Sequence, residues 1–179
     1  MSLKTGLALA LLVAPFAAMA QDDSPGTMIN DPNPANFAVW GLTPAPKSVK
    51  DDSVQGGRSV HVTTTGRGNP WDVSVNVPII QPIKAGDHLM MMFYAKADKP
   101  AAGETSKIGA AQLQIAAAPY TVVFGQQSIE LTPEWKLYTV EGRADKDYGK
   151  GTVNATFHLN VGAVHTVGMG LVAVFDKGQ

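Results

Sequence analysis

Hydrophobic and polar residues alternate along residues 152–161 more regularly than anywhere else in the sequence. The apolar members are Val153, Ala155, Phe157, Leu159 and Val161, and the polar members are Asn154, Thr156, His158 and Asn160. A repeat of two places these two sets on opposite faces of an extended strand. Residues after position 20 show no sustained 3.6-residue repeat, so the sequence predicts strands rather than helices.

Several shorter stretches of the same kind are separated by turn residues. Turns are indicated at residues 67–70 (RGNP), 84–87 (KAGD) and 132–134 (TPE), where Gly, Pro, Asn and Asp favour tight bends. The stretches between the turns predict about eight to ten short strands, which is typical of an all-β sandwich or barrel. We therefore predict an all-β fold, a two-sheet antiparallel β-sandwich of the jelly-roll type.

The first twenty residues have the pattern of a secretory signal peptide. Lys4 provides a positive charge, residues 7–17 are apolar, and Ala18-Met19-Ala20 is a small-residue cleavage site. The pattern predicts an exported protein that is secreted or periplasmic. The rest divides into a Pro- and Asn-rich segment (21–50), predicted to pack on the sandwich, and the sandwich itself (51–179).

Charge and cysteine content exclude several classes of protein. The chain of 179 residues has no cysteine, which excludes disulfides, thiolate metal sites, a cysteine nucleophile and a lipoprotein anchor. Its 14 basic and 15 acidic residues form no basic stripe, which argues against nucleic-acid binding. No segment after the predicted leader is apolar enough to cross a membrane.

Catalytic patterns are missing from the sequence. The acidic residues fall in loops and at strand ends, whereas glycoside hydrolysis needs two carboxylates flanking one bond. No Gly-x-Ser-x-Gly motif occurs, and the four histidines lack metal-binding spacing. We predict a protein without catalytic activity. One alternative stays open, a protein-interaction or structural domain of the envelope. A second and less favoured alternative is a glycoside hydrolase accessory with weak activity.

Four motifs occur in an order that resembles the carbohydrate-binding modules of the CenC type, families 4, 9 and 22. They are residues 56–62 (GGRSVHV), 69–73 (NPWDV), 84–97, which run from KAGD to FYAKA, and 131–140 (LTPEWKLYTV). The resemblance covers roughly residues 51–175. It implies a galactose-binding-domain-like sandwich that binds a polysaccharide or oligosaccharide without cleaving it, with a separate glycoside hydrolase as a partner.

The resemblance also bears on cofactors. Members of this family often hold a structural calcium ion with acidic residues near both ends of the module. Here residues 36–40 (NFAVW) keep the Asn and the aromatic residue but not the acid, and the last strand is followed by Asp176 alone. No cofactor is therefore predicted, and a structural calcium lacks the acid pair of the family.

Candidate ligand-binding residues combine aromatic rings with side chains that form hydrogen bonds. Rings stack on the apolar faces of sugars, and amides bind their hydroxyls. The candidates are Trp71, Asp72, Tyr94, Gln112, Gln114, Tyr120, Asn154, His158 and Asn160. Each has an alternative interpretation: Trp71 as a packed corner of the sandwich, and the amides as an ordinary solvated face. Trp135 and Tyr138 are predicted to pack in the core, and which sheet is concave stays open.

Overall fold

The computed structural model describes residues 26–179, so the predicted signal peptide lies outside the described residues. The strands of this part are β1 (Thr27–Met28), β2 (Ala38–Trp40), β3 (Val49–Lys50), β4 (Arg58–Thr63), β5 (Ser74–Pro78), β6 (His88–Lys99), β7 (Lys107–Ile115), β8 (Val122–Glu130), β9 (Lys136–Arg143), β10 (Val153–His158) and β11 (Thr166–Asp176). Two 3-10 turns, Pro34–Asn36 and Pro70–Asp72, precede β2 and β5. No helix in residues 26–179 is long and apolar enough to span a membrane.

The strands form two antiparallel sheets. The six-stranded sheet has the order β3-β4-β11-β6-β9, and β1 pairs with the end of β11. The five-stranded sheet has the order β2-β5-β10-β7-β8. The Pro- and Asn-rich segment therefore contributes β2 to one sheet and β1 and β3 to the other.

The hydrophobic core lies between the two sheets. Phe93 on β6 stacks on Tyr138 with ring centroids 5.4 Å apart, and meets the edge of Phe157 on β10 at 4.8 Å. The apolar residues of β10 are buried, which confirms the alternation predicted for this strand. The core packing predicted for Tyr138 is confirmed. Trp135 instead lies outside the core, where its Nε1 donates to Ser53 Oγ at 3.1 Å.

Candidate ligand-binding face

Three rows of side chains cross the outer face of the five-stranded sheet. From β2 to β8, the first row is Trp40, Ser74, His158, Ala110 and Gln127, the middle row is Ala38, Asn76, Thr156, Gln112 and Gly125, and the third row is Pro78, Asn154, Gln114 and Val122. We call this surface the five-stranded face. None of its rows contains Lys, Arg, Asp or Glu, so its polarity comes from amides, hydroxyls and the imidazole of His158.

Hydrogen bonds between side chains order the floor of this face. Gln112 Nε2 donates to Gln114 Oε1 at 2.6 Å, and Gln127 Nε2 donates to Gln112 Oε1 at 3.4 Å. Thr156 Oγ1 donates to Asn76 Oδ1 at 2.8 Å. In the described residues, Gln114 Nε2 and Asn76 Nδ2 donate to no protein group. These two donors therefore remain available to a bound molecule.

Two exposed tryptophans lie at one end of the five-stranded face. Trp40 is 62% exposed and Trp71, in the turn before β5, is 58% exposed. The Trp71 ring meets His158 edge-on, with centroids 6.2 Å apart. We call Trp40, Trp71 and His158 the aromatic end. Trp40 was not among the candidates from the sequence, because its strand of three residues is too short for an alternation to indicate which way the ring points.

A glycine holds the two tryptophan-bearing segments together. Gly41 has φ +84°, and a Cβ placed on it would lie 1.6 Å from the Asp72 carbonyl oxygen. The backbone after Trp40 therefore touches the backbone after Trp71, and only glycine fits at the contact. At the other end of the face, Tyr120 is exposed in the turn between β7 and β8. His158 and Asn154 are four positions apart on β10, which is roughly 13 Å along the strand.

The fold has counterparts among solved structures. No protein-family model matches the chain, and no curated protein matches it in sequence. A structure described as CBM4 matches with a TM-score of 0.59 and 21% identity, covering 80% of this chain and 96% of that one. The second N-terminal cellulose-binding domain of Cellulomonas fimi β-1,4-glucanase C matches with a TM-score of 0.58 and 18% identity, covering 87% and 94%. The chain has the fold of these carbohydrate-binding modules.

Another module of the same fold is the CBM22-1 xylan-binding domain of Paenibacillus barcinonensis Xyn10C. It matches with a TM-score of 0.55 and 10% identity, covering 86% of this chain and 97% of that domain. The predicted two-sheet antiparallel sandwich is thereby confirmed, and so is the resemblance to CenC-type modules at the level of the fold. At these identities the comparison establishes architecture, and the site must be argued from the residues of this chain.

Five of the predicted site residues lie on the five-stranded face or at its aromatic end. They are Trp71, Gln112, Gln114, Asn154 and His158. Tyr120 adjoins the face from the turn before β8. These assignments stay predictions, but the structure brings the residues together on one surface of the carbohydrate-binding-module fold.

Tyr94 is separated from the other candidates by the thickness of the sandwich. It lies on the outer face of the six-stranded sheet, where its hydroxyl donates to Gln55 Oε1 at 2.7 Å. There it lines an open apolar hollow of about 210 Å³ with Met28, Pro32, Gln55, Met92, Leu137, Leu171, Ala173 and Phe175. A ligand on the five-stranded face cannot touch Tyr94.

Asp72 and Asn160 bond to the backbone of the loop that carries Trp71. Asp72 Oδ2 accepts from the Asn69 amide at 2.7 Å. Asn160 lies beyond the last residue of β10 and is 4% exposed, with its side chain turned into the loop. The alternation that predicted a shared face for Asn154, His158 and Asn160 therefore ends at His158.

A serine, a histidine and an aspartate line up on the opposite sheet in the order of a hydrolase triad. Ser59 Oγ lies 2.9 Å from His61 Nε2, and His61 Nδ1 lies 3.0 Å from Asp98 Oδ2. Ser59 is completely buried, however, and its hydroxyl also lies 3.0 Å from Asp51 Oδ2. No substrate can reach that oxygen, so the cluster fastens the loop after Asp51 and does not serve as a nucleophile.

Charge around this cluster agrees with a structural role. Burial opposes the ionisation of Asp98, but hydrogen bonds from Lys96 and His61 outweigh it and lower the pKa of the carboxyl group. The hydrogen bond from the Ser53 hydroxyl lowers the pKa of Asp51 despite some burial. Both carboxylates stay ionised at neutral pH and accept the hydrogen bonds that hold this loop on the sheet.

His158 makes the stability of the fold depend on pH. Burial lowers its pKa below the ordinary value of 6.5, because the charged ring would lose water without gaining an acidic partner. Below pH 6.5 the unfolded chain therefore binds this proton more readily than the folded chain does. We expect the free energy of unfolding to fall with pH from 6.5 down to the lowered pKa and then to level off for this group.

The measurement is denaturant unfolding between pH 7.5 and 4.5, compared with His158→Gln. As the pH falls from 6.5 to the lowered pKa, the free energy of unfolding of the wild type should decrease relative to that of His158→Gln, because glutamine does not titrate. Asp98 and Asp51, whose carboxyl groups have a lowered pKa, are present in both proteins, so their titration at the acid end of the window cancels in the comparison. Parallel pH profiles for the two proteins would contradict the prediction.

Proposed function

We propose that this protein binds a neutral polysaccharide or oligosaccharide on the five-stranded face and does not cleave it. The observation that supports this most directly is the pairing of two exposed tryptophans with a floor of ordered amides. Indole rings can stack on the apolar faces of pyranose rings, while Gln114 and Asn76 supply free donors for hydroxyl groups.

The lack of charge on the face favours neutral sugars. An acidic polymer would bring carboxylates to a surface whose three rows offer no lysine or arginine. A neutral chain has no such requirement, because hydroxyls pair equally well with amide donors and acceptors. The named functions of the fold neighbours, which include a cellulose-binding and a xylan-binding domain, agree with this choice.

The same face supports binding without catalysis. Its rows contain no carboxylate, and glycosidases require two carboxyl groups across the scissile bond. The Ser59 hydroxyl, which has triad-like partners, is buried on the other sheet. In the described part of the chain, no three or more His, Cys, Asp or Glu side chains cluster to hold a metal ion, and the proposed binding needs none. An exported location and a separate hydrolase partner are part of this proposal.

The test is calorimetry and affinity electrophoresis against hydroxyethylcellulose, soluble xylan and mannan, with polygalacturonate as the acidic comparison. We expect binding to at least one neutral polymer, little dependence on salt, and no release of reducing ends. Failure to bind any neutral polymer while the protein is folded would overturn the proposal for these ligands. Binding to polygalacturonate that salt removes would contradict the preference for neutral chains.

A further inference from the structure

The side chain of Asn160 is surrounded by the loop that leads to Trp71. Its Oδ1 accepts from the Thr65 amide at 3.0 Å, the Thr65 hydroxyl at 2.9 Å and the Gly66 amide at 3.2 Å. Its Nδ2 donates to the Arg67 carbonyl, and also to the Asn69 carbonyl at 3.2 Å. One buried amide thus binds four of the five residues from Thr65 to Asn69.

This amide has no donor left for a ligand. An asparagine has two N–H groups, and both are used by the carbonyls of Arg67 and Asn69. Its oxygen already accepts three hydrogen bonds, which exceeds its two lone pairs. Direct contact with sugar, as the sequence suggested for Asn160, is therefore not its role.

The bonds to Asn160 add order to a loop that is otherwise held by the hydrogen bonds between Asn69 and Asp72. Gly66 and Gly68 flank Arg67 and have φ +65° and +89°, a region that glycine adopts without steric strain and other residues rarely adopt. The next residues are the turn Pro70–Asp72, which presents Trp71. The backbone N–H of Asn160 also donates to the Pro70 carbonyl, at 3.1 Å. Asn160 therefore bonds to the residues that precede Trp71 in the sequence, up to Pro70, which is directly before it.

We infer that Asn160 is a positioning residue, which holds Trp71 at the aromatic end before a sugar arrives. The inference rests on the proposed function for its effect on binding, but the order of the Trp71 ring is a property of the free protein. A ring that is already placed avoids the entropic cost of ordering on association, and this lowers the dissociation constant without any contact from Asn160 itself.

The test variant is Asn160→Asp. The two side chains have the same shape, but the carboxylate lacks both donors and sets a negative oxygen against the carbonyls of Arg67 and Asn69. The matched control is Asn30→Asp. Asn30 is an equally buried amide that donates to the Val172 carbonyl at 2.8 Å and accepts from the Val174 amide at 2.7 Å, beside the six-stranded sheet.

The first readout is the fluorescence anisotropy of Trp71 in a background of Trp40→Phe and Trp135→Phe. We expect a lower anisotropy and easier quenching by iodide with Asn160→Asp, and no change with Asn30→Asp. Thr65→Val lies at the surface and removes the hydroxyl bond to Asn160 together with that hydroxyl's bond to the Arg67 carbonyl at 3.0 Å, so it serves as a milder disruption of the same loop if Asn160→Asp fails to fold. A Trp71 signal unchanged in the folded variants would overturn the inference.

The second readout is affinity for hydroxyethylcellulose or soluble xylan in two backgrounds. With Trp71 present, Asn160→Asp should weaken binding about three- to tenfold, which is the ordering cost of one side chain. With Trp71→Ala, it should have no further effect. An equal loss in both backgrounds would show that Asn160 does not act through Trp71. If neither polymer binds the wild type, the proposed function fails for these ligands, while the anisotropy still decides whether Asn160 orders the ring.

Discussion

Replacing Trp71 with alanine should abolish most of the sugar affinity and leave the fold nearly as stable as before. An aromatic anchor in a binding site typically contributes 2 kcal/mol or more, so we expect a loss of roughly 30-fold or more in affinity. The ring is more than half exposed. The free energy of unfolding should therefore change by less than about 1 kcal/mol, against about 3–5 kcal/mol for a buried aromatic ring.

The matched control for this experiment is Trp135→Ala. Trp135 lies on the outside of the other sheet, where its indole N–H binds Ser53 and Lys96 lies 5.0 Å from the ring centroid. Its loss should lower stability and leave the affinity unchanged. If Trp71→Ala lowers the free energy of unfolding by several kcal/mol, the ring packs a corner of the sandwich and the alternative interpretation holds.

The second large effect is expected for Gly41→Ala. The added methyl group would overlap the carbonyl oxygen of Asp72, and the backbone would be held at a φ that alanine rarely adopts. The strands cannot separate here without moving the turn that carries Trp71. We expect a loss of roughly 3 kcal/mol or more in stability, measured by denaturant unfolding, together with weaker binding in the molecules that remain folded.

Gly57→Ala is the control that separates backbone strain from steric overlap with Asp72. Gly57 has φ +67°, and a Cβ there would meet no atom within 4 Å. This substitution therefore carries the backbone strain alone, about 1 kcal/mol, and should leave affinity as it is. Equal effects of the two substitutions would mean that the contact with Asp72 relaxes cheaply, and that the two tryptophan segments are not held together by it.

Much of the fold follows from one rule, the alternation of residues along a strand. The rule identified β10 and assigned Phe157 to the core and His158 to the outside, because successive side chains of a strand point to opposite faces of the sheet and one face packs against the other sheet. It also placed Gln112 and Gln114 on one face of β7. Since β7 and β10 pair directly, with Gln112 opposite Thr156, these two correct local assignments together produce the floor of the five-stranded face.

The rule does not say which sheet a strand joins or where it stops. Tyr94 and Gln112 both point outward, yet β6 and β7 belong to different sheets, so the two residues face away from each other. Asn160 continues the pattern of β10 in the sequence, but the strand ends two residues earlier and the amide satisfies a loop instead. Trp40 lies on a strand of three residues, too short for any alternation to be recognised.

The position of β11 determines when the fold can form. This strand follows β1, β4 and β6 in the sequence and pairs with all three. Thr27 near one end of the described chain is paired with Asp176 near the other. A chain emerging from its amino terminus therefore holds β1, β4 and β6 without the strand that joins them. Such long-range pairing is slow to form, and the six-stranded sheet has to wait for the last strand to be synthesised.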